Sequence, residues 1–184
     1  MRLDLPTAML SVLLLGSACI VEAPGGASAE ERRAVTVQEI PGLSVRNGAN
    51  LGGKVELTAA TVEPGRISPG SRAQVTLYFK VLQPLEEDYH VFVHVEDVGG
   101  RMERMNMDHP PANGRLPTSQ WKPGEVVKDE FSIYLPADAS PKALNIWLGM
   151  WDPKTDSRLP LTNPDKIRND GRNRILLAQV PVAQ

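Results

Sequence analysis

The sequence predicts an all-β fold: a single antiparallel β-sandwich, immunoglobulin-like or jelly-roll-like. Three observations carry this. Short runs alternate apolar and polar residues, the pattern of strands with one buried face. The 16 prolines and 15 glycines fall largely between those runs, where the chain must turn. No long segment keeps a helical apolar period. About seven or eight such strands, each with one apolar face, fit two sheets packed face to face.

The strands follow in order. Val35-Thr36-Val37 is a first extended piece, ended by Pro41-Gly42. Asn47-Gly48 and Gly52-Gly53 read as turns. From Lys54, Val55, Leu57 and Ala59 alternate with Glu56 and Thr58, and Pro64-Gly65 and Pro69-Gly70 close that strand. Ala73, Val75, Leu77, Phe79 and Val81 line one face of the next strand. Tyr89, Val91, Val93 and Val95 line another, opposite His90, Phe92, His94 and Glu96. Val127, Asp129, Phe131, Ile133 and Leu135 share a face and stop at Pro136. Leu144, Ile146, Leu148 and Met150 stand opposite Asn145, Trp147, Gly149 and Trp151. Ile175 to Val182 is the last strand, with Pro181 suited to an edge.

The N-terminal residues carry an address. Arg2 gives a basic start, and residues 8–16 form an apolar run too short to span a bilayer. Gly16-Ser17-Ala18 places small residues before Cys19, the single cysteine. This resembles a bacterial lipoprotein signal, in which Cys19 becomes the lipidated first residue. The expected organisation is a signal peptide at 1–18, a lipidated Cys19 with a flexible tether through 34, and the sandwich at 35–184. Ile20 after the cysteine, rather than Asp, favours the outer membrane. Acyl chains on Cys19 would supply a stable anchor.

Composition narrows the function classes. A net charge of -2 does not suggest a nucleic-acid partner. With Cys19 acylated, no thiolate remains for a disulfide, a metal site or a nucleophile. The sequence contains no Gly-x-Ser-x-Gly elbow, phosphate-binding glycine loop or His-Glu-x-x-His pair. The expectation is a protein that is not an enzyme and needs no cofactor.

From Val55 to about Leu161 the chain resembles a β-sandwich module found at the end of certain bacterial membrane glycosyltransferases. The matching strings are Ile67-Ser68-Pro69-Gly70, Val75 to Phe79, Asp88 to Val95, Asp108-His109-Pro110-Pro111 and Pro117 to Glu125 with Asp129 beyond it. Leu135-Pro136-Ala137, Gly149 to Thr155 and Arg158-Leu159-Pro160 complete the pattern. Pro117 to Glu125 is the most specific. The resemblance implies an accessory module, not the transferase's catalytic part.

Several residues invite a chemical reading. His90 and His94 share a strand face but lie about 13 Å apart at strand rise, too far to chelate one ion. His94 reads as a hydrogen-bonded core or rim histidine tied to Asp108 or Asp129. Met102, Met105, Met107 and His109 offer thioether and imidazole ligands suited to Cu(I). Methionines filling gaps beneath a loop are the plainer explanation. Trp121, Trp147, Trp151 and Tyr134 are candidate platforms for a sugar ring or a protein partner. Their alternative role is covering a core or pinning loops. Asp152 and Asp156 flank a turn, and Lys166 to Arg174 reads as a basic, solvated loop.

The expected function is an accessory or scaffold subunit of an envelope assembly for secretion, surface motility or polysaccharide handling, with envelope proteins as partners. Glycan binding is the alternative, with polysaccharide as the ligand. Copper handling through the methionine cluster ranks third.

Overall fold

The structure, a computed structural model, describes residues 26–183. The expected signal peptide and Cys19 lie outside the described residues. A short helix, α1 (Ala29–Val35), precedes β1 (Thr36–Val37), β2 (Val45–Leu51), β3 (Val55–Glu63), β4 (Arg72–Val81) and β5 (His90–Asp97). Then come β6 (Met105–Asn106), β7 (Val126–Tyr134), β8 (Ala143–Asp152), β9 (Ser157–Arg158) and β10 (Ile175–Pro181). One sheet runs β1-β7-β4-β3-β2 and the other β10-β8-β5-β6, with β9 paired to β8. The pairings within each sheet are antiparallel. The chain is a β-sandwich.

The core lies between the sheets and follows from the alternation. Val75, Leu77 and Phe79 of β4 are buried against Val91, Val93, Ile146, Leu148 and Met150 of the second sheet. Each such side chain contributes about 1.5–3 kcal/mol when fully buried. On β4 the outward Thr76 and Tyr78 are buried as well, because this strand lies in the middle of its sheet.

Three elements depart from expectation. Asn47-Gly48 is not a turn but a bulge inside β2, where the register shifts between Arg46 and Ala49. Asn47 Oδ1 accepts from the Ala49 N–H at 3.0 Å, and Gly48 takes a φ of 85° that glycine adopts freely. The alternation of β3 slips at a second bulge between Leu57 and Ala59.

The tether expected through residue 34 is also corrected over its described part. Ser28 caps α1 with a capping box to Glu31. Arg32 pairs with Glu125 at 2.8 Å and donates to the Gln120 carbonyl, while Val35 is buried. An apolar C-terminal residue and a two-pronged arginine dock this segment on the sandwich.

Candidate functional site

The second sheet has an outward face, and the register of β5 against β8 composes it. His94 stands opposite Trp147, Phe92 opposite Gly149, and His90 opposite Trp151. The Phe92 ring lies across the space that Gly149 leaves. A Cβ on Gly149 would stand 2.5 Å from Phe92 Cζ and 2.9 Å from the Asn173 carbonyl oxygen. Glycine at this position therefore lets the ring and the 162–174 connection close onto β8. The Arg158 guanidinium covers Phe92 at 4.5 Å, and the His94 ring lies 5.3 Å away.

A cavity of about 220 Å³ opens beside this ring. Phe92, His94, Arg104, Asp108, Trp151, Asp156 and Arg158 line it. Asp108 is steadied by the Val93 N–H, which donates to its Oδ1 at 2.9 Å. Burial first, and then the Arg104 charge, hold the His94 imidazole below its ordinary value, while Asp108 pulls the other way. His94 is thus neutral near pH 7, with Nδ1 accepting from Arg174 Nη1 at 3.4 Å and the Nε2–H left to donate; its partner is this arginine and not Asp108. Trp151 is half-buried, and its indole N–H has no partner among the described residues.

The structure does not gather the candidate aromatics. Trp151 lines the cavity. Trp147 lies on the same face but under the Arg174 guanidinium, 5.0 Å from its ring. Arg174 is held there by Glu96 and Asp170, each at 2.6 Å, so the basic loop folds back over the sheet. Tyr134 belongs to the other sheet, beneath Arg72. Trp121 is 3% exposed, packs on Phe79 and donates its indole N–H to the Leu116 carbonyl. It belongs to the core and cannot serve as a platform.

The copper reading meets a similar obstacle. Residues 105–109 run along the edge of β5, joined by Met107 N–H to the Val93 carbonyl and His109 N–H to the Val91 carbonyl. Met105, Met107 and His109 alternate inward, with Asn106 and Asp108 exposed. The methionines pack against the core. His109 donates Nδ1–H to the Met107 carbonyl at 2.6 Å and bonds Asp129 Oδ2 through Nε2 at 2.9 Å. Both ring nitrogens are engaged, so no lone pair remains for a metal. No group of three or more His, Cys, Asp or Glu side chains among the described residues is placed to hold one.

Asp129 is consequently the partner of His109, not of His94. It is fully buried and also accepts the Ala112 N–H at 2.8 Å. That bond helps hold Ala112 and Asn113 at a φ of 54°, a left-handed conformation that costs non-glycine residues about 1–2 kcal/mol each. Burial pushes the His109 imidazole down, but the hydrogen bond and charge of Asp129 outweigh it and the net shift is upward.

Comparison with family models and with characterised proteins finds no match. Among solved structures, the chain is similar to the C-terminal domain of Wzt, with 13% identity and a TM-score of 0.46, covering 78% of this chain and 80% of that one. It is also similar to the CARDB domain of the PF1109 protein from Pyrococcus furiosus, solved in complex with di-metal ions. That match has 15% identity and a TM-score of 0.36, covering 79% of this chain and all of that one. At such identities the likeness is one of fold alone. Among the described residues, no helix is long and apolar enough to cross a membrane.

The residues of the cavity that the sequence did not single out as a group are Phe92, Arg104, Asp108 and Arg158. Period two places Phe92 and His94 outward beside Trp151, and that signal was available. Arg104 and Asp108 arrive from connections, and Arg158 from the two-residue strand β9, so no local pattern foretells their meeting.

Proposed function

We propose that this chain is a non-catalytic envelope protein, anchored at the outer membrane through lipid on Cys19, that binds a glycan at the Phe92–Trp151 cavity. The observation behind the reading is the cavity's composition. The half-buried Trp151 ring forms part of its wall above the buried Phe92 that Arg158 covers, and Arg104, Arg158 and His94 supply donors beside the acceptors Asp108 and Asp156. Sugars present the matching chemistry, an apolar ring face edged by hydroxyls. The volume lies below the roughly 300–1,000 Å³ of drug-sized sites, which suits a single saccharide unit. In a glycan-array or calorimetric assay, Trp151→Ala should weaken binding about tenfold while the fold persists. Unchanged affinity would sink the assignment of this cavity.

A second observation favours a scaffold role. A groove of about 340 Å³ runs between β2, β3 and β10, lined in part by Val45, Ala60, Val62, Leu177 and Val180. Val45 is 72% exposed and nearby Leu43 89%. Exposed apolar residues beside a groove suit an envelope protein as partner. Crosslinking in gently solubilised envelopes should recover reproducible protein partners from wild type, and Cys19→Ala should leave the membrane fraction. A free monomer in every extract would remove the scaffold reading. A variant that still fractionates with the membrane would remove the anchor.

A further inference from the structure

The charges around the cavity narrow the ligand further, and this step rests on the glycan reading above. We propose that the bound saccharide carries a carboxylate, as a uronic acid does. Arg104 is exposed, lines the cavity and makes no hydrogen bond or ion pair among the described residues. Arg158 rests on Phe92 and gives one N–H to the Arg172 carbonyl at 3.0 Å, with no carboxylate within ion-pair distance. Other arginines of the domain do find carboxylates, Arg174 among them, which packs on Trp147 of the same sheet face. Arg32 pairs with Glu125, Arg101 with Asp97, and Arg174 with both Glu96 and Asp170.

Asp108 and Asp156 line the same cavity, yet neither forms an ion pair with Arg104 or Arg158. Two arginines and two aspartates therefore line one space without pairing across it. A ligand that answers all four must accept from the arginines and donate to the aspartates. A sugar acid does both, its carboxylate matching a guanidinium fork and its hydroxyls bonding the aspartates. A phosphate carries up to two negative charges, and Asp108 and Asp156 oppose it more strongly. Neutral His94 adds hydrogen bonding without adding charge, so selection for an anion falls to Arg104 and Arg158.

The test is calorimetric titration of the full chain with oligogalacturonate, the same oligomer with its carboxyls reduced to alcohols, and a hexose phosphate. The acidic oligomer should bind about tenfold or more tightly than the reduced one, and its affinity should fall with added salt. Arg104→Gln should narrow the gap between the acidic and the neutral form by about that factor. Arg104 makes no contact that the fold needs, and a thermal melt checks this. Equal binding of acidic and reduced oligomers, or tighter binding of the phosphate, would overturn the carboxylate and leave glycan recognition standing. Binding of none of the three would overturn both.

Discussion

His109→Ala is expected to destabilise the domain by about 3–5 kcal/mol, the usual cost of orphaning a buried charge. The argument begins at Asp129, which is fully buried on the inward side of β7. Its two oxygens are answered by His109 Nε2 and the Ala112 N–H. Because Nδ1 must donate to the Met107 carbonyl, the second proton on Nε2 makes the ring a cation facing Asp129. Removing the imidazole leaves a buried carboxylate with a single donor and frees the left-handed Ala112-Asn113 turn. Urea unfolding of wild type and variant measures the loss, and a difference below about 1 kcal/mol would show that the pair is not charged.

The same pair has a pH signature with a fixed sign. The folded His109 titrates above its ordinary value of about 6.5. Its contribution is therefore complete below that value and is lost as pH rises through the folded one. The stability gap between wild type and His109→Gln should shrink on the alkaline side of neutrality. A gap that widened there would contradict the assignment.

Trp121→Ala is expected to cost about 3–5 kcal/mol, the range for emptying a buried aromatic site. The ring fills the core against Phe79, and its N–H satisfies Leu116. The surrounding string is equally structural. Thr118, fully buried, accepts from the Tyr89 N–H and donates to the Glu87 carbonyl, each at 2.7 Å. Ser119 N–H donates to Asp88, and Glu125 receives Arg32 and the Lys122 N–H. Residues 117–125 thus clamp the β4–β5 connection and α1 to the sandwich. Thermal unfolding should show a large drop in melting temperature for Trp121→Ala. Under conditions where the variant is folded, saccharide affinity should stay close to wild type. A drop in affinity with no drop in stability would return Trp121 to the binding surface.

This separates what was legible from what was not. The strands β4, β5 and β8 could be read directly, because their buried apolar residues recur at every second position, and β10 from its apolar run ending at Pro181. β2 could not, since Asn47-Gly48 carries the strongest turn chemistry in its neighbourhood and here makes a bulge. The edge segment 105–109 could have been found, because Met105, Met107 and His109 alternate with polar residues. Their thioether and imidazole groups suit a copper site as well as a buried edge, so residue type alone does not mark that period. The Pro117–Glu125 string stood out by resemblance, but its residues hold the fold together. The cavity was hidden for a different reason. Cross-strand register sets Phe92 against Gly149, and neither strand alone encodes that register. Arg104 and Arg158 approach from segments distant in sequence.

The outer strands of both sheets share a property with a consequence for crowding. β1 and β6 are two residues long, while β2 and β10 each carry a register shift, and β10 ends at Pro181. None offers a neighbouring molecule a long, regular row of backbone donors and acceptors on which to template a new strand. Copies held in one plane, as the proposed anchor would hold them, would collide side to side more often than in free solution. Collisions at β2 or β10 would meet an interrupted edge, and lasting association there would have to be written in side chains.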